Sequence, residues 1–254
     1  MDIRTKLLQG GTVCGTWLQT GSPVAAEIMA DNGFDFIAAD MEHTDMDEAA
    51  FSAFARSVSG RTAPLARVRE NDTLAIRRVL DCGAAGVIVP LIDSKESAKR
   101  AVEAAKYPPE GVRGFAFVRA NRWGRDFDQY AAAANQQTLV IVMIETKQAV
   151  EQIDDILSVD GVDGVLIGPY DLSGSYGVPG QTGHALVRDA KDKVLRACKA
   201  HGKAAGQHIV LPTPDNVKEA LQTGYRFLAL GMDTVFLDQG ARDAASFLNQ
   251  MEGI

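Results

Sequence analysis

Short apolar stretches rich in Val, Ile and Leu alternate along the chain with longer stretches in which apolar residues recur with a helical period. The first pattern is typical of strands buried on both faces, and the second is typical of amphipathic helices. Strands are predicted at residues 12–18, 34–39, 63–68, 85–92, 138–144, 162–167, 204–210 and 226–231. Helices are predicted at residues 23–32, 46–58, 73–81, 94–106, 148–157, 184–200, 214–222 and 239–251.

This alternation of a strand and a crossover helix, repeated eight times without a linker, predicts an α/β fold, a single-domain (β/α)₈ barrel over residues 1–254. A doubly wound open sheet is the alternative. Its usual signatures are missing, because the sequence has no GxGxxG between the first strand and helix and no GxxxxGK[ST]. Residues 108–137 interrupt the alternation with an irregular insert that holds a short helical piece near Tyr130. Inserts of this length are usually functional or form contact surfaces.

Two of the predicted strands end in a carboxylate. Glu145 directly follows the apolar run LVIVMI, and Asp171 follows the strand at 162–167 after Gly168-Pro169. The carboxyl ends of parallel strands meet at one rim, where α/β folds place their active sites. Glu145 and Asp171 are therefore expected to lie close together. The alternative for each acid is a structural role as the cap of the next helix.

Other polar or aromatic residues near strand ends would share this rim. They are Trp17, Gln19, Asp40, Glu42, His43, Arg67, Asp93, His208 and Asp233. Two facing carboxylates with an arginine and a histidine nearby suit a divalent cation bound by oxygen, such as Mg²⁺ or Mn²⁺. Zinc is disfavoured, because the chain has only 4 histidines and none pair at metal-ligand spacing.

Two of these rim residues have competing interpretations. His43 is a candidate general base, although a lone histidine is more often a structural residue. Arg67 lies within the apolar run PLARV, so its charge is expected to point inward. An inward arginine needs an anionic partner, which either the protein or a substrate supplies.

Composition excludes several classes of function. A net charge of −7 without any basic run argues against nucleic acid as a partner. The cysteines Cys14, Cys82 and Cys198 are scattered without a CxxC, which indicates reduced thiols and a cytoplasmic protein. No signal peptide is expected at the N-terminus, and no apolar stretch is long enough to predict a membrane span.

Several ordered motifs resemble the HpcH/HpaI aldolase family. They are DMEH at 40–43, PLAR at 64–67, YPPEGVRG at 107–114, IET at 144–146 and IGPYDLS at 167–173. The family consists of metal-dependent (class II) 2-oxoacid aldolases on a TIM barrel. The resemblance implies reversible cleavage of a 4-hydroxy-2-oxoacid to pyruvate, or hydroxypyruvate, and an aldehyde. It also implies Mg²⁺, Mn²⁺ or Co²⁺ as the cofactor and a homo-oligomer, commonly a hexamer.

The resemblance also implies roles for matching residues. Glu145 and Asp171 would hold the metal. Arg67 would bind the oxygen of pyruvate that becomes the enolate oxygen. His43, paired with Asp81 on the helix after the third strand, would assist proton transfer.

The substrate would be held by backbone N–H groups from Gly168 to Asp171, with Trp17 beside its methyl group. Two positions depart from the family pattern. Tyr170 stands where Ala or Ser is also common. His208 stands where family members carry an apolar residue against the aldehyde, so their aldehyde preferences do not transfer to this chain.

Three rival functions remain open in the sequence. A Schiff-base aldolase would need a buried lysine, and the nearest one to the rim is Lys147, beyond the strand end. A coenzyme A thioester lyase would need a basic groove, for which Arg119 and Arg122 are the candidates. A non-catalytic metabolite-binding barrel would not need the complete set of acids, arginine and histidine.

Apolar residues near the C-terminus give a separate, weak indication of the predicted oligomer. Phe236, Leu237, Phe247 and Leu248 are apolar residues in an otherwise polar stretch. They either contact another subunit or cover the barrel of their own subunit.

Overall fold

In the computed structural model, which describes residues 2–251 and the side chains of residues 2–247, eight parallel strands pair in chain order and close into a barrel. The strands are β1 (Val13–Leu18), β2 (Phe36–Asp40), β3 (Ala63–Arg67), β4 (Gly86–Val89), β5 (Leu139–Ile144), β6 (Gly164–Ile167), β7 (Ala204–Ile209) and β8 (Phe227–Met232). The barrel is closed by pairing of the last strand with the first, with Val13 opposite Phe227. The predicted single-domain (β/α)₈ barrel is confirmed.

The helices lie outside the strands and connect them. They are α1 (Ile3–Leu8), α2 (Pro23–Ala30), α3 (Glu48–Ser57), α4 (Thr73–Asp81), α5 (Lys95–Ala105), α6 (Phe127–Gln137), α7 (Lys147–Glu151), α8 (Ile153–Leu157), α9 (Pro169–Ser175), α10 (Ala185–Ala200), α11 (Pro214–Thr223) and α12 (Asp233–Met251). Among the described residues, no helix is both long and apolar enough to cross a membrane.

Polar residues determine where many of these helices begin. Asp47, Asp72 and Ser94 each accept a backbone N–H bond from the first turn of the helix that follows, at the starts of α3, α4 and α5. Such caps satisfy N–H groups that have no partner inside the helix. Asp47, Asp72 and Ser94 therefore have structural roles as helix caps.

Several boundaries differ from the predictions. The helices α1 and α9 were not predicted, and the single helix predicted at 148–157 is divided at Gln152 into α7 and α8. The strand predicted at 85–92 ends at Val89, because Pro90 has no N–H group to continue the pairing and Leu91 adopts a left-handed conformation with φ 53°.

Alternate residues of each strand point into the barrel. The interior cluster takes its members at every second position, including Val13 and Trp17, Phe36 and Ala38, Ile141 and Met143, and Phe227 and Ala229. The residues between them pack outward against the helices in a larger cluster. Ile3 and Leu7 of α1 belong to the interior cluster, so this helix closes the amino end of the barrel. The last inward position of a strand therefore faces the open carboxyl end.

Glycines make room for two large side chains in the interior. The rings of Phe36 and Phe227 stack with centroids 4.6 Å apart. A Cβ atom at Gly15 would lie 2.4 Å from Cγ of Phe36, and one at Gly206 would lie 3.0 Å from Cδ1 of Phe227. A glycine on one strand thus lies opposite a phenylalanine on the neighbouring strand, and this pairing of small and large residues allows the dense packing that a small barrel requires.

We expect Gly15→Ala to lower the free energy of unfolding by about 1–3 kcal/mol, the usual cost of overpacking a dense core. The added methyl group would also lie 2.4 Å from the carbonyl oxygen of Phe36, which belongs to the paired strand and cannot move aside. Urea unfolding followed by circular dichroism measures the effect. Gly183→Ala is the matched control, because its Cβ atom would meet nothing within 4 Å. Equal unfolding midpoints for the two variants would contradict the proposed packing constraint.

Candidate active site

The alternation of inward and outward residues brings five predicted site residues to the carboxyl end of the barrel. Trp17, Asp40, Arg67, Glu145 and His208 each stand at an inward-facing position at or just beyond the end of a strand. A cavity of about 300 Å³ opens there, and four of these five residues line it, the exception being Glu145. The cavity is also lined by His43, Tyr170 and Asp171, and by the backbone at Gly168.

Arg67 is held by a buried carboxylate. Its Nε and Nη2 atoms donate to the two oxygens of Asp40, at 3.0 and 2.7 Å, and its guanidinium lies 4.8 Å from the ring centre of Trp17. Burial alone would raise the pKa of Asp40, but the hydrogen bonds and charge of Arg67 hold that pKa below its usual value. The anionic partner that an inward arginine needs is therefore supplied by the protein.

Glu145 follows β5 and contacts the segments that follow the two neighbouring strands, β4 and β6. Its side chain is 3% exposed, and its Oε1 atom accepts a hydrogen bond of 2.8 Å from the backbone N–H of Leu91. On the other side, a Cβ atom at Gly168 would lie 3.0 Å from Oε2, so glycine lets the carboxylate approach the end of β6. Burial raises the pKa of Glu145, the N–H group of Leu91 opposes that rise, and the nearby charges of Glu42 and Asp171 add to it.

The acids of this rim fit a divalent cation. Burial raises the pKa of Glu42 as well, and both Asp40 and Asp171 contribute to the rise. Its buried Oε2 atom accepts no hydrogen bond within the described part of the chain, although Nη1 of Arg67 lies 3.2 Å away. Crowded carboxylates of this kind are stabilised by a bound cation.

The protein would supply only part of the coordination shell. Among residues 2–247, no group of three or more His, Cys, Asp or Glu side chains is arranged to enclose a metal ion. Glu145 and Asp171 would therefore provide two carboxylates, and water and substrate would fill the other positions. Mg²⁺ and Mn²⁺ are commonly bound in this way.

The expected pair of His43 and Asp81 is not formed within the chain. His43 is 60% exposed at the rim, and its Nε2 atom lies 3.7 Å from a carboxylate oxygen of Glu42. Asp81 is the last residue of α4, a helix that runs back to the amino end of the barrel, and it accepts a 2.8 Å bond from Nη2 of Arg113. The two side chains do not meet because α4 runs from the carboxyl end of the barrel to the amino end, so that its last residue lies far from the end of β2.

Within the chain, the partner of Asp81 is the buried side chain of Arg113. The arginine side chain is fully buried, and its guanidinium lies 4.6 Å from the ring centre of Tyr107 and 5.6 Å from that of Tyr130. Asp81 neutralises that buried charge. The pair fastens the irregular segment after α5 to the barrel.

Two rival functions depend on Lys147, as the amine of a Schiff-base aldolase, and on Arg119, as part of a basic groove for coenzyme A. Both side chains make other contacts in the structure. Lys147 is exposed in the first turn of α7 and lies 3.8 Å from Glu151, so it is not a buried amine. Arg119 donates to the carbonyl oxygens of Ala55 and Cys82, at the carboxyl ends of α3 and α4. It therefore stabilises helix ends at the amino end of the barrel, away from the rim.

Leu91 is a site residue that the sequence analysis missed. It is a non-glycine residue with φ 53°, a conformation that is uncommon and costs free energy. This conformation directs its N–H group to Glu145. The dipeptide Pro90-Leu91 after a buried strand signals a turn, but the sign of φ cannot be read from it.

Comparisons with known proteins identify the family of the chain. A sequence model of the HpcH/HpaI aldolase/citrate lyase family matches residues 14–238. The chain is 38% identical over 236 residues to a 2-keto-3-deoxy-L-rhamnonate aldolase from Klebsiella pneumoniae, covering 92% of this chain and 87% of that protein. It is 38% identical over 238 residues to a 4-hydroxy-2-oxovalerate aldolase from Rhodococcus jostii, covering 93% of this chain and 91% of that protein.

A solved structure extends the likeness to three dimensions. The crystal structure of an HpcH/HpaI aldolase/citrate lyase family protein from Burkholderia cenocepacia matches with a TM-score of 0.92 at 31% identity, covering 97% of this chain and 98% of that chain. The resemblance inferred from the short motifs is confirmed. The chain belongs to the HpcH/HpaI aldolase/citrate lyase family and is a carbon–carbon lyase.

Proposed function

We propose that the protein catalyses the reversible, divalent-metal-dependent cleavage of a 4-hydroxy-2-oxoacid to pyruvate, or hydroxypyruvate, and an aldehyde. The observation that carries this proposal is the meeting of three groups at one rim. They are the carboxylates of Glu145 and Asp171, which follow the adjacent strands β5 and β6, and the guanidinium of Arg67. Both relatives described above carry the name of a 2-oxoacid aldolase.

Glu145 and Asp171 would hold the cation. When bound, the cation would polarise the ketone of a chelated 2-oxoacid and so act as the electron sink of the reaction. Burial of Glu145 and its bond from the N–H group of Leu91 fix one carboxylate in place before substrate binds. A fixed carboxylate of this kind needs little reorganisation during the reaction.

Arg67 would stabilise the negative charge that develops on the C2 oxygen. A guanidinium carries five N–H donors, and the fork to Asp40 uses only two of them. Asp40 therefore orients the planar group while leaving other donors for a substrate oxygen. The cation–π contact with Trp17 supports the same orientation.

His43 would move the proton. Removing a proton from C3 of pyruvate, and returning it after cleavage, requires a basic group with access to the cavity. His43 lines that cavity, and its Nε2 atom lies 3.7 Å from a carboxylate oxygen of Glu42. The backbone N–H groups from Gly168 to Asp171 would bind the substrate carboxylate, and Trp17 would border the methyl group.

We also propose that the chain forms a homo-oligomer, a hexamer by resemblance. Residues 236–247 of α12 are all exposed, including the apolar side chains of Phe236, Leu237 and Phe247. The side chain of Leu248 lies outside the described residues. Helix α12 touches α2, on which Val24 and Ile28 are also exposed. Neighbouring apolar side chains left uncovered in this way support contact with a second copy.

We expect removal of the metal by EDTA to abolish pyruvate formation from a 4-hydroxy-2-oxoacid, and Mg²⁺, Mn²⁺ or Co²⁺ to restore it. Glu145→Gln should lose both activity and Mn²⁺ binding measured by isothermal titration calorimetry, because it removes a charged ligand. Asp93→Asn is the matched control, since this acid follows β4 and its side chain accepts hydrogen bonds from Ser94 and Ser97. Turnover that survives complete metal removal, or unchanged Mn²⁺ affinity in Glu145→Gln, would overturn the metal site.

We expect Asp40→Asn to lower the free energy of unfolding by about 3 kcal/mol, the low end of the cost of breaking a buried ion pair, because Arg67 then keeps only its 3.2 Å pair with Glu42. Turnover should fall strongly as well, since the guanidinium of Arg67 loses the two charge-assisted hydrogen bonds that orient it. Urea unfolding and a pyruvate assay measure the two effects. Asp31→Asn is the control, because its 3.4 Å pair with Arg61 is exposed and such pairs contribute about 0–1 kcal/mol. An Asp40→Asn protein with normal stability and turnover would show that this fork does not hold Arg67.

We expect light scattering to give a molar mass several times the 27.2 kDa of one chain. Leu237→Glu combined with Phe247→Glu should reduce that mass, because a charge at each position prevents apolar contact. Leu186→Glu is the control, since Leu186 is an exposed leucine on α10, away from α12. A monomeric wild-type protein at micromolar concentration would reject the oligomer.

A further inference from the structure

One wall of the rim cavity is largely apolar but contains a histidine. Trp17, Val210 and Met232 contribute to this wall together with His208, which stands at the inward position at the end of β7. The rings of Trp17 and His208 lie with their centres 5.8 Å apart. Glu145 and Asp171, which would bind the cation, follow β5 and β6 instead.

The hydrogen bond of His208 determines which ring nitrogen carries the proton. Its Nε2 atom lies 3.2 Å from the carbonyl oxygen of Gly231. A carbonyl oxygen can only accept, so Nε2 donates, and in the neutral ring Nδ1 is left as an acceptor. Burial lowers the pKa of His208 to about 4, and the charge of Arg67 acts in the same direction, so the ring is neutral at pH 7.

The backbone conformation at Gly231 permits this contact. Gly231 has φ 62°, and a Cβ atom at this position would lie 2.3 Å from the ring of Phe236. Glycine is therefore required for the left-handed conformation that turns the carbonyl group toward His208. The imidazole is held in one tautomer by the fold and does not depend on a ligand for its orientation.

Nδ1 of His208 makes no hydrogen bond within the described part of the chain. An acceptor in a mostly apolar wall loses a hydrogen bond when an apolar substituent displaces water from it. It also repels the oxygens of a carboxylate or phosphate. A substituent that carries a neutral donor, such as a hydroxyl group, is the one that satisfies this atom.

We propose that His208 selects aldehydes that carry a hydroxyl group next to the carbonyl carbon, by accepting a hydrogen bond from that hydroxyl at Nδ1. In the cleavage direction, the preferred substrates are 2-oxoacids with hydroxyl groups on both C4 and C5. This inference rests on the aldolase function proposed above. His208 also lines a second groove, of about 820 Å³ between α10 and α11, which provides space for a longer hydroxylated chain.

The test compares glycolaldehyde with propionaldehyde as acceptors for pyruvate, using the full chain with Mn²⁺. The two aldehydes differ by a hydroxyl in place of a methyl group. We expect wild-type protein to prefer glycolaldehyde in kcat/KM. His208→Leu should lower the ratio of the two kcat/KM values by about five- to tenfold, the effect of losing one neutral hydrogen bond, chiefly through the KM for glycolaldehyde.

Three further variants test whether the effect comes from the acceptor atom of His208. His208→Asn keeps a side-chain acceptor and should retain most of the preference. Val210→Ala changes the size of the same wall without removing an acceptor, so its ratio should stay within about twofold of wild type. His208→Phe, which preserves ring size, replaces His208→Leu if that variant does not fold.

Exchange of the pyruvate methyl protons in D₂O, measured without any aldehyde, separates the two proposals. No metal-dependent exchange in wild-type protein would overturn the proposed function itself. Exchange retained in His208→Leu together with the expected change in ratio would support the role of His208. Retained exchange with an unchanged ratio, or an equal loss of activity for both aldehydes, would overturn that role and leave the aldolase function standing.

Discussion

In a closed barrel of eight parallel strands, every second side chain enters an interior that has room for only a few layers. Phe36 and Phe227 fill much of this space, and they fit because Gly15 and Gly206 carry no side chains beside them. The same alternation brings Arg67 and His208 to the open end. Packing of the apolar interior and placement of the polar site thus follow from one geometric constraint.

Charge at the open end is unbalanced, and this imbalance is the physical argument for a cation. The charge of Arg67 is matched by Asp40 through a fork of two hydrogen bonds. Glu42, Glu145 and Asp171 then lack a full positive charge of their own, and the pKa values of Glu42 and Glu145 are raised. A divalent cation would supply the missing charge where a 2-oxoacid also offers oxygen ligands.

The order of strands, the barrel and the position of Glu145 and Asp171 after adjacent strands could be predicted from the sequence, because they depend on local apolar patterns and chain direction. Interactions between distant residues could not. The sequence left open whether the protein or a substrate neutralises Arg67, and the structure shows that Asp40 does. The pair of His43 and Asp81 also depends on contacts between distant residues. Motif resemblance does not reveal that, within one chain, Asp81 lies at the amino end of the barrel and bonds to Arg113.

The site divides into two parts that rest on different strands. The groups proposed to activate the oxoacid follow β3, β5 and β6, whereas the wall that contains His208 is formed by β7, β8 and β1. A substitution at the last inward position of β7 alters this wall directly, whereas it reaches Arg67 only through Trp17, which lies near both side chains. Because Gly231 fixes the tautomer of His208 through a backbone carbonyl, the wall's hydrogen-bonding preference is set independently of the metal and the proton-transfer group. A barrel with this division can change its acceptor aldehyde while keeping one chemical mechanism.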